Sequence, residues 1–366
     1  MKLVCSPQNA RIYGIRLIQT TLMALLVLSS FASADEGATR DRRHRQILDR
    51  RTVILKAFAA DMENVAEWCR QRRLTQAASE ISSLQQKLTQ ANVRTEPPRM
   101  LSAEISQSLS SDELSWRSQV RSTRHDRAGQ LYTLARSALR AGFPSLAFSL
   151  IGDVICLDPD HKFARSVLGQ EQFRDPARRD DADYTGEWVS AFEKQMRSGQ
   201  KPQMYDPRFG WIPVANLSRY EQDLRPWKGD WVSREKEEEL RRDFRNAWEI
   251  PSEHFLVKTN VSLEAGVELS AKLEIFHTWL QQNFAAFFET PGSLQERFET
   301  AGRPLSSRRR KPMEVHYYST REEYQQRVAG KVPPNIETNG LYWQPDRTCY
   351  FYMNPSREDL ATLFHE

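Results

Sequence analysis

The chain has 366 residues, with 52 Lys and Arg against 48 Asp and Glu and a formal charge of +4. Its length allows two or more domains, and so small an excess of positive charge gives no electrostatic case for a nucleic-acid partner. Its four cysteines include no CxxC pair, which excludes the usual thiol metal and redox motifs. In chain order, the first segment carries Lys2, Arg11 and Arg16 without an acid, then an apolar run to Phe31 and the small triplet Ala32-Ser33-Ala34. This is the layout of a signal peptide, residues 1–34, cleaved before Asp35. A membrane anchor needs about 20 apolar residues, more than this run offers. The expected location is therefore outside the cytoplasm (periplasm, cell envelope or extracellular), with no stable membrane span after cleavage. Removing the segment leaves 49 basic against 48 acidic residues.

Residues 44–90 follow a helical pattern. Ile54, Phe58, Met62, Val65 and Cys69 make one apolar stripe, and Ala77, Ile81, Leu84 and Leu88 make another. "VRTEPPRM", at 93–100, breaks the helix with two prolines. A second helical stretch is expected over 103–121. The segment "LYTLARSALRAGFPSLAFSLIGDVICLDPDHKFARSVLG", at 131–169, then reads as two antiparallel helices around the turn Ala141-Gly142-Phe143-Pro144, with a stop at "LDPDH". It resembles a tetratricopeptide-type repeat over roughly forty residues. A shift of 69 positions lays Ala66, Cys69, Ala78 and Ile81 over Ala135, Ala138, Ala147 and Leu150, so small residues recur where paired helices approach closely. The expectation is an all-α domain at 35–170 that serves either as a partner-binding surface or as structural packing.

Residues 171–250 are expected to be a charged linker ("EQFRDPARRDDAD") followed by irregular segments pinned by Trp211, Trp227, Trp231 and Trp248, with short helices at "GEWVSAFEKQM" and "REKEEELRRDFRNAW". From residue 251 the texture alternates. "HFLVKTN" reads as a strand. "LEAGVELSAKLEIFHTWLQQNFAAFF" reads as a helix with Leu269, Leu273, Phe276, Leu280, Phe284 and Phe287 on one face. "MEVHYYST" reads as a second strand, "REEYQQRVAG" as a short helix, and "GLYWQ" with "CYFYM" as a hairpin around Pro345-Asp346-Arg347-Thr348. The arginine run "SSRRRKP" reads as a solvated loop, because no aromatics interleave with it. Nothing in the spacing of Cys69, Cys156 and Cys349 selects a disulfide pair.

The last segment, "NPSREDLATLFHE", has helix-start chemistry at Asn354, Pro355 and Ser356. An apolar stripe of Leu360, Leu363 and Phe364 follows, and then His365 and Glu366, with no stop signal. A His-Glu pair is common by chance, and a lone His at the edge of an apolar stripe is often a satisfied structural residue. Here it follows strand, long helix, strand, short helix and hairpin. That order resembles the N-terminal half of a zincin peptidase, in which an HExxH helix lies beneath a sheet whose edge strand borders the substrate groove. Two imidazoles at i and i+4 share Zn²⁺ and the Glu acts as general base. "SEHFLVKTN", "VHYYSTREEYQQRV", "NGLYWQPDRTCYFY" and "TLFHE" also resemble an uncharacterised family of secreted bacterial proteins with a gluzincin-like core, often preceded by repeat-type helices.

The resemblance implies His365 as a metal ligand and Glu366 as the catalytic base. Gly340, Leu341, Tyr342 and Trp343, or the neighbouring 349–352, become the edge strand that pairs with a peptide or protein substrate. The alternative for those aromatics is sheet packing. Zn²⁺ is expected for a completed site, whereas a chain that stops within the motif is expected to be inactive and not to hold catalytic zinc through His365 and Glu366 alone. No nucleophile elbow, phosphate loop or dinucleotide fingerprint is present, and His254, His277 and His316 stand apart without ligand spacing to Asp, Glu or Cys.

The expected fold is thus α+β: tetratricopeptide-like helical hairpins, then a mixed α/β zincin-like half-domain at 251–366. The expected function is exported, zinc-dependent peptide hydrolysis. The alternative is a non-enzymatic envelope protein that binds a partner through its helices.

Overall fold

The computed structural model describes residues 7–90, 109–178, 181, 184, 186–300, 311–333 and 336–354, with side chains from Gly37 onward. The proline break at 93–100, the arginine run at 306–310 and the segment from Pro355 to Glu366 lie outside the described residues. The fold is mixed α and β, with a helical N-terminal region.

Helix α1 (Pro7–Gln71) turns back into α2 (Thr75–Gln90), and α3 (Ser111–Arg140) turns back into α4 (Pro144–Leu157). The two turns are built alike, 69 residues apart. Arg73 N donates to Arg70 O at 2.9 Å as Gly142 N does to Leu139 O at 2.9 Å, and Leu74 N donates to Cys69 O as Phe143 N does to Ala138 O. Both hinge residues lie in the left-handed region, at φ 61° for Arg73 and 83° for Gly142. Ala66, Cys69, Ala78 and Ile81 are buried, and so are Ala135, Ala138, Ala147 and Leu150, the residues that the 69-position shift lays over them. Small side chains let each helix pair close. Arg127–Asp61 and Arg51–Asp153, each 2.6 Å, bridge the two hairpins.

One expectation fails here. The stretches over 103–121 and from 131 are not separate helices, because α3 runs unbroken from a capping box in which Ser110 accepts from Glu113 N. Gly129 within it costs only about 1 kcal/mol relative to alanine, too little to end a 30-residue helix.

After α5 (Lys162–Val167), β1 (Gln170–Phe173) pairs antiparallel with β2 (Glu187–Ser190), so the charged segment begins in a strand. "GEWVSAFEKQM" is helical only from Ala191. Ser190 ends β2 and caps α6 (Ala191–Arg197) by accepting from Glu193 N. Two small ribbons follow, β3 (Gln203–Asp206) with β4 (Gly210–Pro213), then, after α7 (Leu217–Glu221), β5 (Leu224–Trp227) with β6 (Asp230–Ser233). Helix α8 (Arg234–Arg241) leads into the main sheet. Trp248 is buried in that sheet; Trp211, Trp227 and Trp231 are half-buried in the ribbons.

The main sheet is built from β7 (Trp248–Pro251), β8 (Phe255–Thr259), β9 (Met313–Tyr318), β10 (Gly340–Trp343) and β11 (Thr348–Tyr352), in the order β10-β11-β9-β8-β7. Strands β8, β9 and β11 are parallel neighbours, and β7 and β10 run antiparallel at the two edges. The crossover between β8 and β9 contains α9 (Leu263–Asn283), α10 (Ala285–Phe288) and α11 (Pro291–Glu299); α12 (Arg321–Val328) follows β9. Strand alternation puts Val315, Tyr317, Cys349 and Phe351 on the face covered by Val267, Leu269 and Leu273 of α9. Tyr318, Tyr350 and Tyr352 point the other way, against Tyr324 and Val328 of α12. Every residue of β11 is buried, as expected for a parallel strand covered on both faces. Gly266 is required where α9 crosses the sheet: a Cβ there would lie 2.4 Å from Ile250 Cδ1 and 2.7 Å from Thr259 Cγ2.

The long helix expected over 263–288 stops at Asn283. Ser145 Oγ of the helical region donates to the Asn283 carbonyl at 2.6 Å. The apolar face is therefore divided: Leu269 and Leu273 are buried in the sheet core, while Phe287 is 85% exposed. Ala285, Leu294 and Phe298 belong instead to the helical core, where the Tyr132 hydroxyl donates to Phe298 O at 2.8 Å. Among the described residues no helix is long and apolar enough to cross a membrane, and no disulfide forms.

Candidate functional site

His365 and Glu366 lie outside the described residues. Gly340, Leu341, Tyr342 and Trp343 form β10, the edge of the main sheet. Of the two segments considered for that role, 349–352 is excluded, because β11 lies between β9 and β10. Leu341 and Trp343 pack toward the tyrosine cluster on the α12 face and Tyr342 toward the α9 face. Lys331 Nζ sits 5.2 Å from the Trp343 ring centroid and bonds to Asp346 at 2.8 Å. These side chains anchor the edge. No strand pairs with the outer side of β10 among the described residues, which leaves it geometrically suited to accept an extended chain.

His316 is a core residue. It is buried on the α12 face, in contact with Phe244 and Tyr350, with Nε2 3.3 Å from Glu314 and Nδ1 3.4 Å from the Tyr318 hydroxyl.

The expectation that His254 and His277 stand apart without ligand spacing fails: Glu274 lies three positions before His277, and His254 meets both at Glu274. His254 sits in the turn between β7 and β8, where Ser252 N donates to Phe255 O at 2.8 Å and Met313 N donates to His254 O at 2.9 Å. Its own backbone N–H donates to Glu274 Oε1 at 2.7 Å, and its ring Nδ1 lies 2.7 Å from Glu274 Oε2. Glu274 and His277 are one turn apart on α9, which places them on one face of the helix. The His277 ring stacks on His254 with centroids 3.7 Å apart and planes at 28°. Phe255 meets the His277 ring edge-on. The ligand atoms of all three residues lie within 4.8 Å of one another.

Electrostatics separates the two imidazoles. Burial opposes charge on His254, but the hydrogen bond and charge of Glu274 outweigh it, and its pKa is raised. Burial pushes His277 down to about 4, and the neighbouring charge on His254 adds to that depression. Burial opposes ionisation of Glu274 too, yet its hydrogen bonds from His254 hold it below the ordinary carboxylate range. Burial raises Glu253, next to His254. At neutral pH the trio therefore contains a carboxylate, a histidine that favours its proton and a neutral histidine with an available lone pair. His277 Nδ1 is buried without a hydrogen-bond partner among the described residues.

The sequence signal for this trio was Glu274-x-x-His277 on a helix, whose spacing is that of ligands on one helical face. The third member could not be read from spacing, because His254 arrives from a turn 20 residues earlier. No protein family, curated protein or solved structure was found to match this chain.

Proposed function

We propose that the protein is an exported zinc-dependent peptidase whose sheet region aligns an extended peptide along β10. The observation that carries this reading is the arrangement of the sheet. An antiparallel edge strand flanks three parallel strands, and the inner member of its hairpin, β11, is followed in sequence by the helix-start residues Asn354, Pro355 and Ser356, the apolar Leu360, Leu363 and Phe364, and then His365 and Glu366. In this reading His365 is the first zinc ligand and Glu366 the general base that polarises zinc-bound water. The reading requires a second histidine four positions after His365 and a third ligand farther on. Backbone pairing along β10 orients the scissile bond, with Leu341, Tyr342 and Trp343 as the neighbouring side chains.

The test is zinc content and peptide hydrolysis of the protein expressed from its entire reading frame. Glu366→Gln is expected to keep the metal and lower hydrolysis by about 10²–10⁴-fold, and His365→Ala to lose metal and activity together. Absence of the second histidine, or hydrolysis indifferent to both substitutions, would overturn the reading.

A second reading is favoured by the duplicated turn geometry of α1–α2 and α3–α4. Equivalent hairpins spaced 69 residues apart suit a tetratricopeptide-like, partner-binding array in the cell envelope. Crosslinks from a native partner to the exposed residues of these helices, in a protein without hydrolytic activity, would select it.

A further inference from the structure

We propose that His254, Glu274 and His277 form a second, independent Zn²⁺ site that pins the β7–β8 turn to α9. Three features carry the proposal. The donor set, two imidazoles and one carboxylate, is one that zinc accepts with a position left for water or a fourth ligand. The three ligand atoms already lie within 4.8 Å of one another, drawn from elements that the fold holds rigidly: a turn tied on both sides by backbone hydrogen bonds, and one face of a helix packed on the sheet. His277 Nδ1 is buried without a partner among the described residues, and a buried nitrogen left unsatisfied is unfavourable unless something occupies its lone pair.

Without metal, Glu274 is occupied by His254, at 2.7 Å to the ring and 2.7 Å to the backbone nitrogen. Tetrahedral zinc with bonds of about 2.0–2.2 Å spaces its ligands roughly 3.3 Å apart, so the His254 ring and the carboxylate must separate by about half an ångström. Zinc displaces the proton hydrogen-bonded between His254 Nδ1 and Glu274 Oε2, while the backbone N–H continues to hold Glu274 in place. That backbone bond is then an outer contact orienting a ligand. Glu253 is charge-coupled to both His254 and Glu274 and hydrogen-bonded to Ser190.

The experiment is titration of chelator-treated protein with Zn²⁺ by calorimetry, and with Co²⁺ followed by its visible spectrum. In a His365→Ala background, one ion per chain is expected, with a tetrahedral Co²⁺ spectrum, and affinity should weaken at least 10-fold in His277→Ala and in Glu274→Gln. His365→Ala should leave this uptake unchanged, which separates the site from the proposed catalytic zinc. Ring-nitrogen NMR of the unmodified protein supplies a second readout that does not depend on a variant's folding: Zn²⁺ should shift both the His254 and His277 ring signals. No stoichiometric uptake, uptake retained in both variants, or unshifted ring nitrogens would each overturn the proposal.

Discussion

The helical and sheet regions solve the same packing problem with contacts of different range. In the helical region contacts run within each hairpin and between α1 and α3, and the apolar stripes read along the chain are buried or partly buried in one core. In the sheet region the three parallel strands are separated in sequence by whole helices, so each strand finds its neighbour only after a long excursion. The regions are also not cleanly segregated. The β8–β9 crossover sends Ala285, Leu294 and Phe298 back into the helical core. A chain segment can thus belong to one region by sequence and to the other by packing.

The sharpest way to break that comparison is Phe298→Ala. Phe298 is 1% exposed, packs edge-on to Phe148 of α4 and lies among helical-core residues. Its truncation should cost about 3–5 kcal/mol. In urea melts followed by probes in each region, the helical transition should move most; unchanged helical stability would show that the crossover merely rests on that core.

Next in size is acid stability. His277 has its folded pKa depressed to about 4, below the ordinary 6.5, so the unfolded chain takes up a proton over this window while the folded chain does not. Stability from this group is therefore present above pH 6.5 and lost as pH falls toward 4, by about 1–3 kcal/mol. His254 acts oppositely, since its raised pKa gives stability below 6.5 that is lost as pH rises through the folded value. Urea melts at pH 7 and pH 4 should show a smaller acid loss in His277→Gln than in the unmodified protein.

Gly266→Ala sharpens the sheet side. Alanine gains about 1 kcal/mol of helix propensity, but its methyl would clash with Ile250 and Thr259, and overpacking of this kind costs about 1–3 kcal/mol. A net loss of stability in thermal melts is expected; a net gain would show that α9 lifts from the sheet without strain.

The smallest effects compare the two helical turns. Gly142→Ala meets no atom within 4 Å, so its cost is the left-handed backbone alone, about 1–2 kcal/mol. Arg73→Gly removes that strain from the matching turn and should raise stability by less than about 1 kcal/mol, after the greater unfolded-state entropy of glycine. Shifts of opposite sign in melting, with the Gly142→Ala loss the larger, would confirm the equivalence of the turns.

By itself the sequence determined the periodic elements. Stripes such as Phe58, Met62, Val65 and the alternation in "MEVHYY" follow from the 3.6- and 2-residue repeats of helix and strand, which need no knowledge of the partner. The 69-residue internal match was readable for the same reason, because close helix approach demands small residues at fixed places. Gly340, Leu341, Tyr342 and Trp343 could be recognised as one strand of a hairpin, but the choice between this strand and 349–352 as the sheet edge was not readable. It depends on β11 pairing with β9, a parallel contact across more than thirty residues. The end of α9 was hidden likewise, because the helix ends at Asn283, whose carbonyl accepts from Ser145 of the helical region. Most of all, only the tertiary structure brought His254 to Glu274 and His277. A turn and a helix face carry no shared periodicity, and their meeting is fixed by how α9 lies across the sheet, close enough for Gly266 to touch it.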